Sequence, residues 1–167
     1  SQKGYELVRE VARLLPPTGS WQEIEHPSML SEDFSFFLDG REGADTLVGG
    51  DGVDTLIGGL GPDELTGGGG NDIFDFNTIV DSTPGTLYHD VITDFTTGDK
   101  IDLSTIDANP VVDLDQAFAF VAAFTGRAGQ VMFDSGLVLA DLDGDGFADM
   151  EIQLDGVGSL TAAAFIL

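Results

Sequence analysis

Apolar residues recur every nine positions between residues 40 and 75, a spacing that neither a helix nor an ordinary strand has. The four segments are GREGADTLV, GGDGVDTLI, GGLGPDELT and GGGGNDIFD, each a version of G-G-x-G-x-D-x-U-x in which U is apolar. Glycine permits tight turns, so the first six residues of each segment predict a turn and the last three a short strand. The U side chains, Leu47, Leu56, Leu65 and Phe74, are predicted to point into a core.

This nonapeptide resembles the repeats of the calcium-binding parallel β-rolls of the repeats-in-toxin family. Two nonapeptides then make one full coil, so that repeats n and n+2 stack. Turn carbonyls and Asp carboxylates from stacked turns offer the hard oxygen ligands that calcium prefers. The predicted metal residues are Arg41, Gly43, Asp45, Gly50, Gly52, Asp54, Gly58, Gly59, Leu60, Gly61, Asp63, Gly67, Gly69 and Asp72.

A flexible Gly-rich linker is the alternative interpretation of this segment. A linker has no reason to keep Asp and Leu in strict phase, so we retain it only as a description of the calcium-free state.

Asp continues to recur every nine residues beyond the glycine-rich repeats, at Asp81, Asp90 and Asp99. Ile92 and Ile101 keep the apolar U position of the same register. We therefore predict degenerate coils over residues 76–102, with calcium held partly by Asp81 and Asp90, and a β-roll spanning residues 40–102.

The regions on either side of the roll have different patterns. Residues 1–39 are predicted to be helical, with one helix that ends at Pro16-Pro17 and a second that begins at Ser31. The second helix would present Phe34, Phe37 and Leu38 on one face. Residues 103–167 are predicted to be β-rich.

Two more local predictions concern this C-terminal region. One helix or turn is expected near residues 115–124, and two strands are expected at Leu137 to Ala140 and Met150 to Leu154. The fold class is therefore mainly β: a parallel β-roll continued into a C-terminal β-sandwich, with a short helical N-terminal segment.

The charge of the chain agrees with a cation as partner. It contains 30 Asp and Glu against 6 Lys and Arg, a formal net charge of −24, which excludes nucleic acid and anionic membranes as natural partners. A solubilising acidic surface is the alternative, but there the acids would be scattered. The chain has no Cys and therefore no disulfide, and no apolar run long enough to span a bilayer.

Longer motifs resemble one family over residues 40–167. The nonapeptides, "DFTTGDKIDLSTID", "AFTGRAGQVMFD", "DLDGDGFADMEIQL" and the terminal "SLTAAAFIL" resemble the C-terminal domain of serralysin-type metalloproteases. The resemblance implies a roll that binds several calcium ions and is capped by a β-sandwich. It also implies a secreted protein with an uncleaved C-terminal signal for a type I transporter. One departure is Ala164, which stands before Phe165-Ile166-Leu167 where such proteins often carry an acidic residue.

The acidic loop between the two predicted strands is a second candidate for calcium. Its carboxylates match positions 1, 3, 5 and 9 of an EF-hand loop, but Ile152 stands at position 12, where a Glu is expected. A calcium-binding hairpin and a tight Asp-rich turn remain open alternatives. The residues concerned are Asp141, Asp143, Asp145 and Asp149.

A catalytic function is not predicted for these residues by themselves. The zinc motif H-E-x-x-H is absent, and the two histidines are His26 and His89. The stretch "HPSMLSEDFSFFL" resembles the C-terminal part of the aminoacylase and amidohydrolase metallopeptidases, which would make Glu32 a metal-site position. An acidic first turn of a helix is the simpler interpretation of Glu32.

Two functions follow from these observations. The first is a non-catalytic extracellular module that folds on binding calcium and supports export and stability of an attached enzyme. The second is the C-terminal fragment of a secreted amidohydrolase-type metallopeptidase. The sequence does not determine the oligomeric state.

Overall fold

The fold was obtained as a computed structural model, which describes residues 37–40 and 42–167. The predicted helices before residue 37, together with His26 and Glu32, lie outside the described residues, as does Arg41. The helical prediction is wrong at its C-terminal end, because Phe37–Asp39 form a strand. Leu38 stands nine residues before Leu47, so this strand joins the register of the repeats as a further coil position.

The described residues are mainly β, as predicted, with twelve strands and one short 3-10 helix. The strands are β1 (Phe37–Asp39), β2 (Thr46–Gly52), β3 (Thr55–Ile57), β4 (Glu64–Gly70), β5 (Ile73–Asp75), β6 (Asp90–Ile92), β7 (Lys100–Asp102), β8 (Ala119–Phe120), β9 (Gln130–Asp134), β10 (Leu137–Asp141), β11 (Met150–Leu154) and β12 (Phe165–Ile166), with the 3-10 helix at Ala162–Ala164.

The strands form two sheets, and the repeat strands alternate between them. The first sheet has the order β1-β3-β5-β7-β12, and the second has the order β2-β4-β6-β11-β10-β9-β8. In the repeats the pairing is parallel, with Leu47 opposite Leu65 and Leu56 opposite Phe74. Each of these steps is 18 residues, so two nonapeptides make one coil here, as the sequence predicts.

The U side chains fill the space between the sheets. Leu56, Leu65, Phe74, Ile92 and Ile101 are fully buried, and each lies opposite another U residue on a neighbouring strand. The same hydrophobic cluster continues without a break into Val131, Val138 and Ile152 of the C-terminal strands. The division at residue 103 into a roll and a cap stays a prediction.

The third coil differs from the prediction, because it is nine residues longer than the first two. Leu65 pairs with Ile92 and Phe74 with Ile101, a step of 27 residues where 18 was expected. The extra residues form a loop between β5 and β6. This stretch has no glycine between residues 76 and 84, and Pro84 lacks the N–H that a sheet ladder needs, so it supplies neither the turn nor the strand of a repeat.

The C-terminal strands pack against the end of the roll. Strands β10 and β11 form the predicted antiparallel hairpin, and β11 pairs in parallel with β6. Near residues 115–124 the structure has strand β8 and bends in place of the predicted helix or turn. The chain extends there because Phe118 is buried and the Phe120 ring contacts Phe165. The described residues contain no helix long and apolar enough to cross a membrane.

Candidate metal centre

The repeat Asp residues stack into two hydrogen-bonded columns, one at each edge of the roll. In the first column, the amide of Asp45 donates to Asp63 Oδ1 at 2.7 Å, and the amide of Asp63 donates to Asp90 Oδ1 at 2.9 Å. We call these three residues the Asp63 column. One oxygen of each upper Asp thus ties its coil to the coil below.

The second column is built in the same way on the opposite edge. The amide of Asp54 donates to Asp72 Oδ1 at 3.0 Å, and the amide of Asp72 donates to Asp99 Oδ1 at 2.9 Å. We call this set the Asp72 column. The repeated geometry shows that the fixed place of Asp in the nonapeptide serves the stacking of coils as well as any ion.

Two members of the Asp63 column, Asp63 and Asp90, have a second carboxylate oxygen that is buried without a protein partner. Asp63 is 2% exposed and Asp90 is 0% exposed, and the Oδ2 atom of each has no hydrogen bond. Burying a charged oxygen without a hydrogen-bond partner costs on the order of several kcal/mol, so such atoms are rare unless a ligand contacts them. These two oxygens therefore indicate a cation position.

Glycine leaves room for the oxygens that converge on each turn. A Cβ at Gly49 would lie 2.5 Å from the carbonyl oxygen of Gly67 and 2.6 Å from Asp54 Oδ2, and a Cβ at Gly58 would lie 2.5 Å from Asp63 Oδ2. Carbonyl and carboxylate oxygens from different turns thus approach one point. All donors are hard oxygens, with no sulfur or imidazole among them, which fits calcium and not zinc or copper.

The carboxylates that face these turns resist ionisation while no cation is present. Burial, followed by the charges of Asp45 and Asp81 and opposed by the hydrogen bond from the Asp45 amide, raises the pKa of Asp63 to about 6. Burial, together with the charges of Asp63 and Asp81, raises the pKa of Asp90 to about 8. The pKa of Asp72 is also raised, first by burial. Each of these shifts reports an environment that lacks positive charge.

The predicted glycine ligands lie partly in strands and partly between them, because β2 and β4 extend into the glycine-rich part of the repeat where a turn was expected. Gly43 precedes β2, Gly50 and Gly52 lie within β2, and Gly67 and Gly69 lie within β4. The connection from β3 to β4 contains Gly58, Gly59, Leu60 and Gly61, with Leu60 exposed. Their role as ligands stays a prediction.

Asp81 does not stand in either column, which corrects the prediction from the stacking of repeats n and n+2 that Asp81 lies above Asp63. The longer third coil places Asp90 above Asp63 and Asp99 above Asp72. Asp81 lies in the loop, where its Oδ2 accepts hydrogen bonds from the amides of Asn77 at 2.8 Å and Thr78 at 2.9 Å. Its charge still raises the pKa of both Asp63 and Asp90, so it lies close to the first column.

Asp94 is a turn residue that the sequence analysis missed. Its two carboxylate oxygens accept hydrogen bonds from the amides of Gly67 at 2.9 Å and Gly68 at 2.8 Å. Asp94 thereby connects the residues that follow β6 to the glycine-rich segment of β4, 27 residues earlier in the chain. It lies outside the nine-residue phase, so repeat spacing alone could not have indicated it.

The hairpin loop brings three of its four predicted residues together. Oxygens of Asp141, Asp143 and Asp149 all lie within 4.8 Å of one another, whereas Asp145 is not part of this group. The same carboxylates accept amides of their own loop: Asp141 from Gly144 at 2.7 Å and Asp149 from Leu142 at 2.8 Å. Both alternatives, a calcium-binding hairpin and an Asp-supported tight turn, remain open.

His89 takes a structural position. It is buried, with Nδ1 2.6 Å from Glu151 Oε1 and Nε2 3.2 Å from Gln153 Oε1. These contacts connect the loop between β5 and β6 to strand β11.

Gly58→Ala is expected to raise the calcium concentration needed for folding at least severalfold. The new Cβ would lie 2.5 Å from Asp63 Oδ2 and 3.1 Å from the Asp63 Cβ and Cγ, so the carboxylate must move. Gly158→Ala is the matched control, because a Cβ there meets nothing within 4 Å. Folding is followed by circular dichroism during a calcium titration. Equal midpoints for the two variants would show that the position of the Asp63 carboxylate is unimportant.

Two similar solved structures are subunits of one enzyme of Azotobacter vinelandii. Among solved structures, the chain is similar to the AlgE6R3 subunit of the Azotobacter vinelandii mannuronan C5-epimerase, with 25% identity, 88% of this chain and 86% of that chain covered, and a TM-score of 0.49. It is also similar to the AlgE6R2 subunit of that epimerase, with 24% identity, 84% and 96% covered, and a TM-score of 0.54, which indicates a shared fold. No curated protein matches the chain significantly.

The family profile described as "Peptidase M10 serralysin C terminal" matches residues 36–167. The matched region contains every described strand and both Asp columns. Since the match covers well over half of the sequence, the chain belongs to the family of serralysin-type C-terminal domains of M10 peptidases.

Proposed function

We propose that this chain is a non-catalytic, secreted calcium-binding module that folds when the turns of its roll bind calcium. The observation that carries the proposal is the pair of buried Oδ2 atoms of Asp63 and Asp90, which have no hydrogen-bond partner. The Asp residues of the Asp63 column and of the Asp72 column would hold calcium together with the turn carbonyls. Bound calcium supplies the positive charge that these buried carboxylates lack.

The raised pKa values support coupled folding. At neutral pH the unfolded chain has ionised Asp residues, whereas the calcium-free fold disfavours ionisation of Asp63 and Asp90. Ionising both in place costs on the order of several kcal/mol, a large part of the 5–15 kcal/mol that stabilises an ordinary domain. The formal net charge of −24 opposes compaction as well. Calcium that binds only the folded roll offsets both the cost of ionising the buried carboxylates and the repulsion between charges.

Membership in the serralysin-type family supports the wider part of the proposal. We propose that the module serves an attached enzyme, that it passes through a type I transporter in the unfolded low-calcium state, and that it folds outside the cell. The absence of Cys fits this order of events, because the ions take the place of disulfides as the stabilising cross-links.

A calcium titration of the full chain tests the proposal. In excess chelator at neutral pH the β signal in circular dichroism is expected to be weak, and calcium in the millimolar range is expected to restore it. Magnesium at equal concentration is the control, and it should restore far less, because it keeps its waters and prefers a smaller octahedral site. A full β signal in chelator would contradict the proposal.

A further inference from the structure

An open cavity of about 510 Å³ lies outside both Asp columns. Three parts of the chain line it: the end of the loop between β5 and β6, the turn between β9 and β10, and strand β11 with the residues that follow it. Its volume is that of an ordinary small-molecule site. None of its lining residues belongs to the Asp63 column or the Asp72 column, so calcium binding by the roll does not account for it.

The extra loop of the third coil forms one wall of this cavity and is fixed to β11. Ser82 of the loop is fully buried, and its Oγ donates to the carbonyl oxygen of Glu151 and accepts the amide of Asp90 at 2.8 Å. The amide of Glu151 donates to the carbonyl oxygen of Ser82 at 3.0 Å. The part of the chain that departs from the repeat therefore supplies a preformed wall.

A row of polar contacts runs along the lining of the cavity. His89 Nδ1 lies 2.6 Å from Glu151 Oε1, and His89 Nε2 lies 3.2 Å from Gln153 Oε1. Gln153 Nε2 donates to Asp155 Oδ1 at 2.6 Å. No hydrogen bond within the described residues uses Glu151 Oε2 or Asp155 Oδ2. Two carboxylates are thus held by one oxygen each, and the other oxygen of each remains as an acceptor.

The lining combines negative charge with apolar surface. Glu151 and Asp155 belong to it, and among the described residues no Lys or Arg does. Leu137 and Val157, both half-buried, supply aliphatic surface. Calcium prefers a shell of about six to eight oxygens, which a lining with aliphatic side chains and an imidazole does not offer. A cationic group on an alkyl chain fits both kinds of surface, because its methylenes pack on apolar atoms while its charge meets the carboxylates.

We propose that this cavity binds a guanidinium group carried on an alkyl chain, supplied by a free small molecule or by an Arg side chain of another polypeptide. The guanidinium donates to Glu151 Oε2 and Asp155 Oδ2, and its alkyl chain packs along Leu137 and Val157. The formal net charge of −24 attracts such a cation to the protein. This binding is separate from calcium-coupled folding and does not depend on it.

Calorimetric titration of the full chain with n-butylguanidinium tests the site. Saturating calcium is present throughout, so that the chain is folded whether or not folding requires the ion and the Asp columns are not open to the probe. The expected dissociation constant is about 1 mM or lower. Pentanol and pentanoate, which have similar alkyl chains without positive charge, should bind at least about tenfold more weakly. Equal binding of all three, or no binding of n-butylguanidinium, would overturn the proposal.

A matched pair of variants assigns the binding to this cavity. Asp155→Asn removes a charge from the lining but keeps an oxygen acceptor for Gln153 Nε2, whereas Asp134→Asn removes an equal charge next to the lining residue Ser135. Asp155→Asn is expected to weaken n-butylguanidinium binding at least about fivefold, and Asp134→Asn less than about twofold. Equal weakening would contradict the assignment, because it would show general attraction by the net charge.

A second probe distinguishes the two sources of the group. Leu87 and Tyr88, 74% and 62% exposed, stand in the chain between the lining residues Thr86 and His89. A polypeptide that inserts an Arg side chain would also contact this exposed apolar surface. Tighter binding of an end-blocked Arg tripeptide than of n-butylguanidinium, reduced by Leu87→Ser, supports a polypeptide source. Tighter binding of n-butylguanidinium supports a free small molecule, and binding of neither probe overturns the site.

Discussion

Asp63→Asn is expected to raise the calcium midpoint for folding by about tenfold or more, which corresponds to about 1.4 kcal/mol, and Asp45→Asn is expected to raise it less. Asp63 is central in its column: it accepts from the amide of Asp45 and donates to Asp90. Its Oδ2 is buried without a partner, whereas Asp45 is half-buried at the end of the column. With ions bound between stacked coils, as we propose, a carboxylate in the middle of the column would contact more of them than one at its end.

The same substitution is expected to act in the opposite direction when calcium is absent. Asparagine keeps the shape of the side chain but cannot carry the charge that burial disfavours at Asp63. The calcium-free fold of Asp63→Asn should therefore be more stable than that of the wild type. Simple relief of charge repulsion predicts nearly equal effects for Asp63 and Asp45, since each loses one charge.

Urea unfolding in chelator and calcium titration, both at fixed ionic strength, measure the two effects. Asp143→Asn in the hairpin loop is the control, and it should leave the calcium midpoint of the roll almost unchanged. A calcium midpoint that shifts equally in Asp63→Asn and Asp45→Asn would mean that shared ions between stacked coils are the wrong description of the roll.

Acidification in the presence of chelator is expected to restore part of the β structure. The folded pKa of Asp90 is about 8 and that of Asp63 about 6, both above the value of about 4 in the unfolded chain. Between about pH 4 and about pH 8 the calcium-free fold therefore binds more protons than the unfolded chain. Its free energy of unfolding is greatest below about pH 4 and declines as the pH rises through 6 and 8.

Circular dichroism in chelator, recorded from about pH 8 down to about pH 5, checks this expectation. Asp90→Asn separates the specific effect from the general decrease of net charge, because it removes the group with the highest pKa and should flatten the upper part of the pH profile. A β signal that stays constant or decreases on acidification would show that buried ionised carboxylates do not limit the calcium-free fold.

The nine-residue pattern predicted the roll because apolar residues and Asp each recur at a fixed place in the repeat. The U residues had to be buried, and Leu56, Leu65 and Phe74 are fully buried. Two repeats per coil were expected for this nonapeptide, and the 18-residue pairing of Leu47 with Leu65 confirms it. The hairpin of β10 and β11 was predictable from its alternating strands and acidic loop.

The nine-residue spacing alone could not predict which Asp residues stack on one another in the longer third coil. A shift of nine residues keeps every Asp in register with the pattern but exchanges the two edges of the roll. Asp81 and Asp90 both fit the nine-residue phase, and only the three-dimensional pairing shows that Asp90 joins the Asp63 column. Asp94 was missed because its task, to bind the amides of Gly67 and Gly68, depends on that longer coil.

The N-terminal boundary was misplaced because local preference and tertiary pairing disagree there. The stretch around Phe37 has helix-like signals, yet Phe37–Asp39 pair with β3 as a strand, because a neighbouring edge satisfies their backbone groups. The amidohydrolase resemblance, with Glu32 as its metal-site position, falls outside the described residues and stays a prediction.

Amide hydrogen exchange at the column residues tests the central claim, that calcium holds the stacked Asp turns together, most directly. The amides of Asp45, Asp54, Asp63 and Asp72 each donate to the carboxylate of the next coil. NMR at neutral pH in saturating calcium should show these four amides strongly protected, and in chelator they should exchange at nearly the unfolded rate. Equal protection of the four amides with and without calcium would contradict the account, because the columns would then be stable without the ion.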